Sequence, residues 1–197
     1  MLPTYEPMPV VDIGDCYLRT VKVSDYKDMF EYGSDPEVTK YLSWGPFRYP
    51  KEAKLSIERY NLPRVQKGLP IGYAIIHKKD HKMIGMIEYH TICHTSHVGE
   101  IGYVLNRKYQ GLGIMSRALI KMIEVGFNYL NLNRIEIRHT DFNIASKKVI
   151  LKADFRFEGI QREKIFDVKH NKYRDVYCYA ILKNEYRRGE LKWQSQK

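Results

Sequence analysis

Hydrophobic positions along the chain change their period several times, and each change marks the edge of an element. "CYLRTV" (16–21) alternates and reads as a strand. Ser24 then offers an N-cap to a helix through about Tyr32, closed by "GSDP". A second helix is predicted from Pro50 to about Asn61, with Pro50 in its first turn and Pro63 beyond its end. "IGYAIIHK" (71–78) and "MIGMIEYHTI" (83–92) follow as strands of a hairpin turned around "KDHK". "HVGEIGYVLN" (97–106) is a third strand, whose alternation puts Glu100, Gly102 and Val104 on one face. A long helix opens after two glycines and carries Ile114, Ala118, Met122 and Val125 at helical spacing, ending near Leu130. The strand "RIEIRHT" (134–140), the helix "NIASKKVILKA" (143–153) and the strands "FRFEGIQREKIF" and "YRDVYCYAIL" complete the chain. The order β-αα-βββ-α-β-α-ββ predicts an α/β domain built on one mixed, mostly antiparallel sheet flanked by helices.

A length of 197 residues suits one domain over 1–197, with residues 1–12 and 187–197 expected to be flexible. No stretch reaches the roughly 20 apolar residues of a membrane span, so no membrane partner is expected. The start, "MLPTYEPMPVVDIGD", has neither the basic stretch nor the apolar run of a signal peptide. Cys16, Cys93 and Cys178 are odd in number, far apart and outside any CxxC, which predicts free thiols and a cytoplasmic protein. Charge is uneven: residues 1–50 hold 5 Lys/Arg against 8 Asp/Glu, and residues 51–197 hold 28 against 15. The basic remainder suits an anionic ligand or a nucleic-acid-rich setting as well as a merely solubilising surface.

The chemistry concentrates in "KYQGLGIMSRAL" (108–119), where Gly111 and Gly113 stand between a strand and an apolar helix. Glycines there let the backbone come close to an anion and turn its N–H groups toward it, although a loose turn is the simpler reading. The stretch is neither GxGxxG nor a P-loop, which disfavours a dinucleotide fold or an NTPase. "HTICHTSH" crowds His90, Cys93, His94 and His97, all metal-ligand types, yet strand alternation sends Cys93 and His94 to opposite faces. No metal is expected.

"EIGYVLNRKYQGLGIMSRAL" followed by "LNRIEIRHTDFNIAS" resembles the GNAT superfamily of acetyl-CoA-dependent N-acetyltransferases. Its fingerprint, Arg/Gln-x-x-Gly-x-Gly/Ala, is met by Gln110 and Gly113 and imperfectly by Met115. The finer resemblance is to the Rim branch, which acetylates α-amines of ribosomal proteins. It rests on Glu100 to Tyr103, Leu132 to Glu136, Asn143 to Ser146, Glu158 to Arg162, Arg174 to Tyr177, and the N-terminal "LRTVKVSDYKDMFEYGSDPEVTKYL". The sequence departs from the family at Met115, a small residue there; at Leu112, often Lys or Arg; and at Asp154, commonly Gly.

The resemblance implies a GNAT fold whose co-substrate is acetyl-CoA. Tyr103, Val104 and Leu105 would lie beside the pantetheine arm, and the N–H groups of Gln110, Gly111, Leu112, Gly113, Ile114, Met115 and Ser116 would hold the pyrophosphate. Asn143 and Ser146 would contact the arm and the thioester end, a role Asn143 can combine with capping its helix. Glu100 is the expected base and Glu88 the alternative, with the thioester carbonyl polarised by an N–H near Val104 or Leu105. The Tyr that some relatives use as acid is replaced by Ile150, which leaves Ser146 as acid or simple cofactor contact. The implied acceptor is a primary amine, above all the α-amine of a protein or peptide N-terminus on or near the ribosome. A small amine, an antibiotic, or a binding module without turnover are the competing readings. The substrate loops would be "YLSWGPFRYP" (41–50) and the turn near "DVKHNKY". A homodimer is compatible with the sequence.

Overall fold

Short strands with apolar residues on both faces must be covered twice, and this requirement organises the chain. A computed structural model describes Tyr5 and residues 8–168 and 170–193. It divides into two compact units, residues 1–92 with 101–122 and residues 93–100 with 123–197.

The first unit holds β1 (Val11–Asp12), β2 (Cys16–Thr20), β3 (Tyr73–His77), β4 (Lys82–Cys93) as far as residue 92 and β5 (Val98–Leu105) from residue 101, and these strands follow one another in the sheet in chain order. The antiparallel registers set Leu18 opposite Ile75 and Ala74 opposite Met86. Leu18, Tyr73 and Ile75 point one way and Ala74 and Ile76 the other, and all five are buried. Helices α1 (Tyr26–Gly33), α2 (Pro36–Thr39) and α3 (Pro50–Ser56) serve one face. Met29, Tyr32, Ala53 and Ile57 pack there with Ala74, Ile76, Met83, Met86 and Val104. Helix α4 (Ile114–Asn128) begins on the other face, where the Tyr89 hydroxyl donates to the Met122 carbonyl at 2.7 Å.

The helix expected to reach Asn61 is α-helical only to Ser56 and continues as a π turn, Ile57–Asn61, and a 3-10 turn, Leu62–Lys67. Pro63 lies inside that run, not beyond it. It has no N–H to give to the preceding turn, and its ring crowds the carbonyl four residues back, so regular α pitch cannot pass through it. "GSDP" also holds more than a stop: Asp35 accepts from the Glu37 N–H at 2.9 Å and starts α2 with Pro36 in its first turn.

In the second unit β8 (Lys172–Leu182) lies between β6 (Arg134–Thr140) and β7 (Arg156–Asp167), antiparallel to both. Helix α5 (Ile144–Lys152) ends at Asp154, whose φ of +65° supplies the left-handed step that glycine gives elsewhere. A short α6 (Lys183–Arg187) follows β8. The observed strands and helices keep the predicted order, with β1, α2 and α6 added. The expectation of flexible ends falls partly on residues 1–4, 6, 7 and 194–197, which lie outside the described residues. Within the described part, Val11 pairs with Leu18, and Leu191 and Trp193 are buried. Among the described residues no helix is long and apolar enough to cross a membrane.

Glu31 ties α1 to the strands. Its carboxylate accepts from Lys82, from Lys108 at 3.0 Å and from the Asn106 amide at 3.3 Å. The Lys82 bond, with Lys108 and Asn106, holds its carboxyl down at about 2. A carboxylate with a depressed folded-state pKa stabilises the fold above its unfolded value and loses that contribution as pH falls toward the folded value. Glu31→Gln should therefore cost about 1 kcal/mol at pH 7, a figure limited by solvent screening. The gap from wild type should narrow in calorimetric melts as pH falls from about 5 toward 2.

Candidate active site

Between β5 and α4 the chain reverses within a few residues, and side chains from several elements fix its path. Asn106 is buried, donates its N–H to the Ile84 carbonyl at 2.7 Å, and accepts from the Lys108 N–H at 3.1 Å. The Gln110 amide donates to the Leu105 carbonyl at 3.0 Å, so Gln110 ties the loop to the end of β5. Gly111 and Gly113 have φ of +80° and +72°, a region where a Cβ is strained. Space is not the reason for glycine: an added Cβ at Gly111 would meet nothing within 4 Å. Arg117, one turn into α4, donates to the carbonyls of Leu112 (3.1 Å) and Ile13 (2.9 Å) and pairs with Asp15.

The Arg117 N–H bonds the Gly113 carbonyl at 3.1 Å, so the N–H groups of Ile114, Met115 and Ser116 precede the helical ladder. They stand at the positive end of a 15-residue helix, a place where a phosphate is held well. The side chains of Ile114, Met115 and Ser116 are buried, so Met115 finds room inward and leaves its N–H to the loop. Leu112 is exposed and presents no cation.

Beside this loop β4 and β5 approach closely. A Cβ on Gly85 would lie 2.4 Å from the Val104 carbonyl oxygen, so only glycine permits this spacing against Val104 and Leu105. A Cβ on Gly102 would lie 2.9 Å from the His90 ring, which sets Gly102 and His90 on one face. Alternation then brings Val104 and Glu88 to that face. Glu88 is mostly buried, with its Oε2 3.3 Å from Nη1 of Arg64. Burial pushes its carboxyl upward, against the lowering effect of Arg64, His90 and a hydrogen bond from Tyr60.

In the second unit Glu100 accepts from Arg138 through both oxygens, at 2.5 and 2.8 Å. The fork takes one lone pair of each oxygen, and the guanidinium favours the ionised carboxylate over the protonated one. Asn143 caps α5, accepting from the Ser146 N–H at 3.1 Å, and Ser146 is buried in the first turn. Ile150, at the position of the missing tyrosine, is fully buried. In the first unit Asp15, Cys16 and His77 bring ligand-type atoms within 4.8 Å of one another. Asp15 is already paired with Arg117 and His77 with Asp80.

The family model of the GNAT acetyltransferase domain matches residues 16–156 and so runs through both units. The chain belongs to the GNAT acetyltransferase family. It is an N-acetyltransferase with the α/β fold of that family. The N-acetyltransferase p20 of Bacillus licheniformis is 35% identical over 169 residues, 86% of this chain and 93% of that protein. The ribosomal-protein-serine acetyltransferase of Escherichia coli is 30% identical over 141 residues, 72% of this chain and 76% of that protein. A solved ribosomal L7/L12 α-N-protein acetyltransferase in complex with coenzyme A is 22% identical, with a TM-score of 0.79 over 88% of this chain and 98% of that one.

For this GNAT enzyme the sequence pointed to the loop glycines and Gln110 but not to the arginines that tie Leu112 and Glu100. Arg117 reads as one basic residue on an apolar helix, and Arg138 as one of several in its strand. Gly85 did carry a signal, since a lone glycine inside a strand marks a close backbone approach. Gly85→Ala should cost about 1–3 kcal/mol, because the atom it meets is a main-chain carbonyl that cannot swing aside. Urea melts would check this, and calorimetric titration should show weaker acetyl-CoA binding from the displacement of Val104 and Leu105.

Proposed function

We propose that this protein transfers the acetyl group of acetyl-CoA to the α-amine of a protein or peptide N-terminus. The observation that carries the reading is the loop Gln110–Gly113 with its two left-handed glycines, locked by Gln110 and Arg117 and opening onto the first turn of α4. Its geometry fits the pyrophosphate of coenzyme A, with N–H groups from Gly111 through Ser116 as donors; the Gln110 N–H, expected among them, is already given to the Arg107 carbonyl at 3.2 Å. Tyr103, Val104 and Leu105 on β5 are offered as contacts of the pantetheine arm, and Asn143 and Ser146 as further cofactor contacts. The solved relative holding coenzyme A and the E. coli relative acting on a ribosomal protein support co-substrate and acceptor respectively.

Acetyl-CoA supplies an activated acyl group, and the chain's own groups must supply a neutral nucleophile and polarise a carbonyl. An N–H near Val104 or Leu105 serves the second need. For the first, the sequence alone preferred Glu100 over Glu88. The fork from Arg138 onto both Glu100 oxygens, and the desolvation of Glu88, make Glu88 the better supported proton acceptor. Ser146 is offered as a cofactor contact, and its hydroxyl as the candidate acid.

An α-amine titrates near 8 and a lysine side chain near 10.4, so freeing the lysine nitrogen costs about 3 kcal/mol more near neutral pH. A single carboxylate therefore suits an α-amine. Thiol release from acetyl-CoA should be faster with peptides beginning Ser, Ala or Thr than with free lysine, polyamines or aminoglycosides. Mass spectrometry should place the acetyl group on the first residue. Modification confined to side-chain or antibiotic amines would replace the acceptor in this reading, and acetyl-CoA without effect on melting temperature would remove the cofactor.

A further inference from the structure

Six buried side-chain atoms of the described residues have no hydrogen-bond partner, and four of them lie in the first unit. They are the Tyr32 hydroxyl, Asn61 Oδ1, Arg64 Nη1 and Glu88 Oε2. Tyr32, Asn61 and Arg64 are each 1% exposed, where an unanswered polar atom is costly and calls for a reason. They come from α1, the π turn, the 3-10 turn and β4. Tyr32 packs in the cluster that contains Met86, and burial, then the charges of Asp25, Glu88 and Asp28, push its hydroxyl upward. The Asn61 amide nitrogen lies 3.8 Å from the Met86 sulfur. A Cβ on Gly72 would sit 2.5 Å from Met86 and 3.0 Å from Glu88 Oε2, so Gly72 leaves that carboxylate room. Arg64 and Glu88 approach to 3.3 Å without a hydrogen bond at these atoms.

The chemistry of the set selects its ligand. A carboxylate oxygen, an amide oxygen and a hydroxyl oxygen are three acceptors, and a primary ammonium group carries three donors. The π turn delivers Asn61 into the layer, and such turns recur at functional positions. Glu88 and the half-exposed Tyr60 ring, over which Arg64 stacks at 5.4 Å, are the sides that meet solvent. We propose that Tyr32, Asn61 and Glu88, backed by Arg64, form the acceptor subsite, which grips a primary ammonium group and passes one of its protons to Glu88.

This rests on the acetyl-transfer reading. The ammonium N–H bond breaks and the proton joins the Glu88 carboxylate. The neutral nitrogen attacks the thioester carbon, the C–N bond forms, the C–S bond breaks, and the second proton goes to the departing thiolate. Arg64 adds a positive charge beside the ammonium and so favours its loss of a proton. The titratable and charged groups facing Glu88 are Arg64 and Tyr60 from the turns, His90 on β4 and Tyr32 on α1.

Tyr32→Phe and Asn61→Leu test the subsite, because each removes an oxygen that has no hydrogen-bond partner among the described residues. Melting temperature is measured with propylammonium chloride and with tetramethylammonium chloride, which has no N–H donor, at equal concentration and with coenzyme A present. Propylammonium should raise the wild-type value above tetramethylammonium, and both variants should lose the difference. In turnover, both variants should raise KM for the acceptor peptide at least about fivefold, with the dissociation constant of acetyl-CoA within about twofold. Glu88→Gln should lower kcat at least about tenfold and abolish its acidic limb. If leaving Arg64 unpaired unfolds that variant, the other two decide. Equal effects of the two salts on wild type, or variants that respond like wild type, overturn the subsite. A variant-sensitive propylammonium effect without thiol release from any amine would keep the subsite and overturn acetyl transfer. Turnover with unchanged KM in both variants would do the reverse.

Discussion

A guanidinium removed from water survives only where its surroundings answer its charge and most of its donors, and Arg64 is such a group. Its Nε donates to the Pro70 carbonyl at 2.7 Å, its Nη2 to the Tyr89 carbonyl, and Glu88 stands 3.3 Å from its third nitrogen. These partners lie on the chain leaving the 3-10 turn and on β4, so the charge fastens the helical layer of the first unit to its sheet. Breaking a buried pair of this kind typically costs 3–5 kcal/mol, because the partner left behind keeps its charge out of water. Arg64 directly follows Pro63, inside the 3-10 turn that succeeds the π turn. The position of Glu88 and the path of residues 62–70 are thus one constraint.

The loop before α4 follows the same physical rule with a different arginine. A left-handed glycine removes steric resistance but does not choose a conformation, since glycine has the most freedom to lose. Arg117 and Gln110 make the choice by donating to the Leu112, Ile13 and Leu105 carbonyls. The main-chain N–H groups of Gly111 to Ser116 then lie on a path that side chains elsewhere have fixed. That is preorganisation in a specific sense: the donors are ordered before any anion arrives, and binding need not supply that ordering.

The strands and long helices were legible because their periods are local properties. "YAIIH" and the spacing of Ile114, Ala118 and Met122 need no knowledge of the rest of the chain. Gly111 and Gly113 were legible for a related reason, since their cost in a helix or strand is paid by sequence-local backbone. Arg64, Arg138 and Arg117 were not. Each takes its meaning from an oxygen far along the chain: 25 residues away for Tyr89, 38 for Glu100 and 102 for Asp15. No periodicity encodes such a pairing. The π turn was hidden for a different reason, because "LSIERYNLPR" keeps helix-forming residues up to the proline that disturbs them.

The two carboxylates show how far alternation reaches. It puts Glu100 and Glu88 on faces of neighbouring strands of one hairpin, and by that rule alone they are equals. Their partners separate them. Glu100 meets a half-exposed arginine in a two-bond fork, while Glu88 meets a buried arginine that stands 3.3 Å from its Oε2 without a hydrogen bond there. Within the proposed subsite this difference also bears on the kind of amine accepted. An ammonium entering beside Arg64 and Glu88 joins one charge of each sign, so its own charge is not fully balanced and deprotonation relieves the site. The relief favours amines that give up a proton readily, and the reference difference between α-amine and lysine is about 3 kcal/mol in that direction. Selectivity for a chain terminus can then arise from charge balance around one carboxylate, without any contact to the rest of the peptide.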